Sequence, residues 1–224
     1  MAPEQHSHTK MEVFGPDFLN KAIAYQTKTL IDQVSVPLPS FTADNFMSIV
    51  SIVAAIDANS LSPKNARLQL LTMTSTINGL RQNVIEGIAD MFVYIPLNPI
   101  SDQGKFGKVD LQARFFCPLL TAIFADVTKN VILRWPSKME ETIPQIRPDA
   151  IISSLVQLNI GPSLGYGEVK PGDASTSKQS LCIDTMKLAV LSKNAASRNG
   201  HPIVSFQVNG FHLVFFVVQE LDSL

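Results

Sequence analysis

Arg147-Pro148-Asp149 and Glu168-Val169-Lys170 bracket a stretch that reads as two strands and a turn, and this pairing constrains the chain more than any other feature. In a strand, residues two apart project from one face, so the Glu168 carboxylate and the Lys170 ammonium emerge side by side. If the two segments form an antiparallel hairpin, facing residues are nearly equidistant from its turn. The midpoint between positions 149 and 168 falls between Leu158 and Asn159, and the turn signal Asn159-Ile160-Gly161-Pro162 adjoins it. Asp149 is therefore expected close to Glu168 across the ladder, with a bulge taking up any residual shift. Ala150-Ile151-Ile152 is apolar on both faces, as a central strand is, and Leu164, Tyr166, Glu168 and Lys170 alternate with Gly165, Gly167 and Val169. Two carboxylates and an amine gathered this way suit a divalent cation and a phosphate.

The arrangement resembles the PD-(D/E)XK, or restriction-endonuclease-like, nuclease superfamily. Pro148-Asp149 stands at its "PD" and Glu168-Val169-Lys170 at its "ExK". A bare E-x-K arises by chance about once in a chain of this size, so the order of elements carries the resemblance: a helix, a strand region with Trp135, the PD strand, a turn, the E-x-K strand, a helix and another strand. That is the αβββαβ core of the superfamily. The resemblance implies an α/β fold in which Asp149, Glu168 and the Val169 carbonyl bind Mg²⁺, for which Mn²⁺ can substitute. It also implies that Lys170 orients or deprotonates the attacking water. The implied function is hydrolysis of phosphodiester bonds, in DNA rather than RNA. The cation chemistry agrees, since magnesium is held by one or two carboxylates plus phosphate oxygens and can polarise the phosphoryl group and activate water.

Superfamily members often add an acidic residue from the first core helix and a polar residue from the second. Asp110, opening the apolar stretch Leu111 to Ala125, is the candidate for the first, against a plain N-cap role; Glu140 and Glu141 are rivals. Gln179 is the candidate for the second, at the start of a helix whose Cys182, Met186 and Ala189 are expected to form an inward stripe broadened by Leu181, Leu188 and Leu191. A RecB-like version wants Tyr four residues after the Gln, but position 183 is Ile. Three other readings stay open. Asp149 begins a turn while Glu168 and Lys170 form the solvated face of an edge strand; or the fold is kept without catalysis, as a nucleic-acid or protein binding module. The third is a serine hydrolase: Gly161-Pro162-Ser163-Leu164-Gly165 is a literal nucleophile-elbow motif, followed by Asp173 or Asp184 and then His201 or His212. The elbow must lead directly into a helix, and Tyr166-Gly167-Glu168-Val169-Lys170-Pro171-Gly172 does not.

With 46% hydrophobic residues over 224 positions the chain can bury a sizeable core. A net charge of −1 gives no global attraction to nucleic acid. Cys117 and Cys182 are far apart and lie in apolar helical patterns, which suggests buried thiols in a reducing compartment. Met1 to Lys10 lacks the apolar core of a signal peptide and no apolar run is long enough to span a membrane, so residence inside the cell is expected. His6 and His8 lack partner ligands nearby in the polar terminus.

Residues 1–100 are expected to form a helical region and 101–224 the nuclease-like domain, divided within Asn98 to Lys108. Asp17 caps a helix running to about Val34; a second follows Thr42; Ser62-Pro63 opens a long helix to about Phe92. These helices are expected to pack on the core, the alternative being a surface for a partner or for self-association. Asn209-Gly210 is a two-residue hairpin signal, and the strand after it, apolar on nearly both faces, is expected to be covered. A chain ending so soon after such a strand suggests a piece of something longer.

Overall fold

The computed structural model describes residues 41–95, 105–136 and 146–219, apart from 158 and 174. The expected helix from Asp17, the two terminal histidines, Glu140 and Glu141 lie outside these residues. The described residues from Ala43 onward belong to one compact unit. Its fold is mixed α/β, with several helices and a five-stranded mixed sheet.

Helix α1 spans Ala43–Asp57 and α2 spans Pro63–Met73. Ser62 caps α2 by accepting a hydrogen bond from the Asn65 N–H at 3.3 Å, with Pro63 in the first turn where its missing N–H costs nothing. The single long helix expected from Ser62 does not form. It breaks after Met73 into a 3-10 turn, Thr74–Thr76, and resumes as α3, Leu80–Met91. The hydroxyls of Thr74, Ser75 and Thr76 donate back to the carbonyls of Leu71, Thr72 and Met73, offering the backbone an alternative to helix continuation. α3 packs on the next helix through Gly87, which faces Leu119 and Ala122.

That next helix, α4, runs through three consecutive segments: Lys108–Asp110, a π-helical stretch Leu111–Phe116, and Cys117–Phe124. Pro118 explains the widened turn before it, because it has no N–H to donate and its ring crowds the carbonyl one turn earlier. Strands β1 (Val131–Arg134), β2 (Ala150–Val156) and β3 (Asn159–Lys170) follow as an antiparallel meander. Helix α5 (Lys178–Asn199) crosses to β4 (Ile203–Asn209), which runs parallel to β3, and β5 (His212–Val218) returns antiparallel to β4. The sheet order is β1-β2-β3-β4-β5.

The β2–β3 turn falls at Gln157, slightly before the expected Asn159-to-Pro162 signal. Two register shifts between Ile152 and Leu155 each insert an extra residue on the β3 side, where Pro162 is tolerated as a strand interior is not. They bring Ala150 opposite Gly167, so that Asp149 falls beside Glu168. The second hairpin is displaced by one residue from the expected Asn209-Gly210: Asn209 pairs with His212, and Gly210 with Phe211 makes the turn, Gly210 supplying its positive φ of 58°.

The two sheet faces carry separate cores. Phe206, Val208, Val169 and Ala150 pack with Leu111, Phe115, Phe116 and Leu120 of α4. Ile151, Tyr166 and Ile203 pack with Leu188, Leu191, Ala195 and Ala196 of α5. Two expectations about burial are corrected. β5 ends the sheet and leaves Val214, Phe215 and Val217 about half exposed, since β4 covers one edge of it only. On α5, Cys182, Met186 and Ala189 face outward, so Cys182 is an exposed free thiol, and Cys117 is partly exposed. The inward stripe is instead Asp184, Leu188, Leu191, Ser192, Ala195 and Ala196, because a buried charge occupies the position where an apolar pattern would be sought.

Candidate metal and phosphodiester site

Strand alternation sets the site. Ile151 and Tyr166 face α5, so Asp149, Glu168 and Lys170, each an even number of residues away, belong to that same face. The α5 side of the sheet is thus apolar toward Ile203 and charged toward the ends of β3 and β4.

Asp149 is fixed by the backbone. Its N–H donates to the Gly167 carbonyl at 2.9 Å, and its Oδ2 accepts the Val169 N–H at 2.8 Å. Arg147 anchors the approach by donating to the Pro136 carbonyl at 2.7 Å. Glu168 lies on central strand β3 and is only 3% exposed, so it is not part of the solvated face of an edge strand. Burial, followed by the Asp149 charge and a hydrogen bond shared with Asp149, pushes its carboxyl up to about 8. Burial and a neighbouring negative charge both favour the protonated form of the Glu168 carboxyl. The Glu168 Oε1 atom is buried without a hydrogen-bond partner.

Lys170 reaches Asp184 of α5, with Nζ 3.0 Å from Oδ2. Lys187, one turn along the helix, holds the other oxygen at 2.8 Å. Asp184 is 1% exposed. Burial would raise its carboxyl, but the two lysines outweigh that and hold it below the usual range. The Asp184 carboxylate in turn raises the Lys187 ammonium. Beside them Thr185 donates to Gln207 Oε1 at 3.1 Å, and Gln207 Nε2 to the Leu181 carbonyl at 3.0 Å.

The structure therefore brings Asp149 and Glu168 together and ties Lys170, on the same face, to Asp184 of α5. It does not gather the two supplementary candidates. Asp110 is exposed at the third position of α4, whose N-cap is Gly107, and Lys108 rather than Asp110 reaches the site, in an ion pair with Asp149 Oδ1. Gln179 is exposed in the first turn of α5, which Ser177 caps by accepting from the Ser180 N–H at 3.0 Å. The elbow motif has no elbow: Gly161 to Gly165 runs inside β3, and Ser163 pairs with Ser153.

Lys108 and Lys187 are members that reading the sequence for a site does not identify, and Asp184 enters that reading only as an acid of the hydrolase motif, not as the partner of Lys170. A usable signal existed for Asp184, which keeps phase with Leu188 and Leu191 on the inward stripe, and Lys187 follows at the i+3 spacing that lets the two meet. Among the described residues no three His, Cys, Asp or Glu side chains form a cation site. Asp149 and Glu168 are the carboxylates that could hold a hard cation, Asp149 being paired with Lys108 as Asp184 is with two lysines. No helix among the described residues is long and apolar enough to cross a membrane. Comparison with protein-family models, with curated proteins and with solved structures finds no match to this chain.

Proposed function

We propose that the chain is a Mg²⁺-dependent nuclease that hydrolyses phosphodiester bonds, with DNA the favoured substrate. The observation that carries this reading is the meeting of the Asp149 and Glu168 carboxylates at one end of the sheet, with the Lys170 amine on the same face, held by Asp184. The succession of a helix, an antiparallel three-strand meander, a helix and a parallel strand supports it as well, being the αβββαβ order that the PD-(D/E)XK resemblance implies.

The residues fit the cation. Magnesium takes oxygen donors and is satisfied with one or two carboxylates. Asp149 and Glu168 supply these, Glu168 Oε1 being a buried oxygen without a partner, and the Val169 carbonyl would join them as the resemblance implies. A bound Mg²⁺ or Mn²⁺ would supply Lewis-acid polarisation of the phosphoryl group and a water of lowered pKa. Lys170, kept in place by Asp184, orients the attacking water or, once it has given its own proton to solvent, takes the proton of that water. The α5 core beneath the cluster, with Tyr166 and Leu188, keeps bulk water from its floor.

Purified protein is expected to cut DNA with Mg²⁺ or Mn²⁺ and to stop in EDTA. Asp149→Asn abolishes cleavage while the fold persists. Lys170→Ala lowers the rate about 10²- to 10⁴-fold, the range of a general acid-base group. Ser163→Ala leaves it unchanged. A second reading draws on the ion pairs from Lys108 to Asp149 and from Lys170 and Lys187 to Asp184: protein cations already satisfy these carboxylates, as in a fold retained for binding alone. Equal behaviour of wild type and Asp149→Asn on single-stranded, duplex and branched DNA would select that second reading.

A further inference from the structure

Lys108 is a charged group of the cluster to which the hydrolytic roles above give no task, and unlike Lys187 it stands on a carboxylate assigned to the cation. It sits in the first turn of α4, the end at which the helix dipole disfavours a cation. Its placement there is offset by one contact, the ion pair with Asp149 Oδ1. Asp149 Oδ2 meanwhile accepts the Val169 N–H, so both oxygens of this carboxylate are engaged, whereas Glu168 Oε1 has no partner. Lys170 and Lys187 are bound to Asp184 instead. One amine thus stands on the carboxylate that a divalent cation would need. Its side chain is 42% exposed, against 16% for Asp149, which leaves the flexible four-carbon stem room to swing away.

Building on the reading of Asp149 and Glu168 as cation ligands, we propose that Lys108 is a built-in counter-cation that competes with the divalent metal for Asp149 and leaves it when the metal enters. The charge it supplies stabilises the metal-free carboxylate pair and raises the metal concentration at which the site fills. A lysine serves this purpose where arginine would not, because a single point charge is released more readily than a bidentate fork.

The test is calorimetric titration of the full chain with MnCl₂ in wild type, Lys108→Met and Lys129→Met. Lys129 pairs with Asp126 at the surface and controls for the loss of one positive charge at a distance. Lys108→Met is expected to bind Mn²⁺ about two- to fivefold more tightly, the scale of one partly exposed ion pair, and Lys129→Met to match wild type. Equal or weaker binding in Lys108→Met, or equal tightening in Lys129→Met, overturns the inference while leaving the cation site itself standing. Absence of Mn²⁺ binding in all three proteins overturns both. Far-UV circular dichroism checks the fold, and Lys108→Gln repeats the titration if the methionine variant loses it.

Discussion

The α4 face of the sheet buries Phe206, Val208, Val169 and Ala150 against an aromatic helix, whereas the α5 face is apolar only toward Ile203 and carries Glu168, Asp184 and their lysines at its other end. Phe206 is the hub of the first face, stacked on Phe124 with centroids 5.7 Å apart and meeting Trp135 edge-on at 6.2 Å. Phe115 extends the layer to Phe106 and Phe211. Such contacts add directional attraction to burial. On the second face the buried acids persist for different reasons: Asp184 is paired with two amines, and burial beside Asp149 favours the neutral form of Glu168. Burying ions in pairs rarely stabilises a fold beyond what apolar residues would. The comparison teaches that the α4 face holds the sheet, while the charged end of the α5 face adds little to stability and is the part of the sheet to which the proposed function assigns chemistry.

The largest expected effect tests the first half of that contrast. Phe206→Ala should cost about 3–5 kcal/mol, as for other large buried aromatics, measured by urea unfolding. Next comes Gly167, whose place in the Gly-Glu-Val-Lys segment is explained by the same face: a Cβ there would lie 2.2 Å from the Phe206 ring. Gly167→Ala is expected to cost about 1–3 kcal/mol through overpacking, and a combined Gly167→Ala, Phe206→Leu variant to recover part of it. Failure of either substitution to lower the urea midpoint would break the contrast.

On the charged side the effects on stability are smaller. Asp184→Asn leaves two partly exposed lysines without their partner and should cost about 1–3 kcal/mol. Cleavage should fall further than that loss explains, because Lys170 is no longer held. The last effect is a slope with pH rather than a loss at one pH. Glu168 takes up its proton at about 8 in the folded chain against an ordinary 4.5, so the folded state binds more protons than the unfolded across that window. Stability in EDTA is therefore full below about 4.5 and declines as pH rises to about 8. Glu168→Gln should flatten the decline in thermal melts; an equal slope in both proteins would assign it to other groups.

The hairpin that places Asp149 beside Glu168 was legible because alternation and a turn signal are both local. So was the parity that puts Lys170 on the same face. The long helix expected from Ser62 is broken because, although the apolar period continues through Ile77 across Thr74-Ser75-Thr76, the hydroxyls of that run compete for the backbone. The face of α5 was misread for a related reason. A periodic search rewards Cys182 and Met186 and passes over a buried Asp184, whose tolerance depends on amines contributed by β3 and by its own next turn. Lys108 could not be found from spacing, because its contact joins α4 to the entry of β2, forty-one positions away in sequence. The half-exposed β5 likewise follows from its place at the end of the sheet, a property of topology rather than of its own apolar pattern.

The central claim, that Asp149 and Glu168 share one divalent cation, is tested most directly by soaking crystals in MnCl₂ and collecting anomalous diffraction. The account predicts a single anomalous peak within coordination distance of both carboxylates, with Glu168 Oε1 among its ligands and the Lys108 amine withdrawn from Asp149. Crystals that show no peak there, with Lys108 still on Asp149 at saturating Mn²⁺, would contradict it.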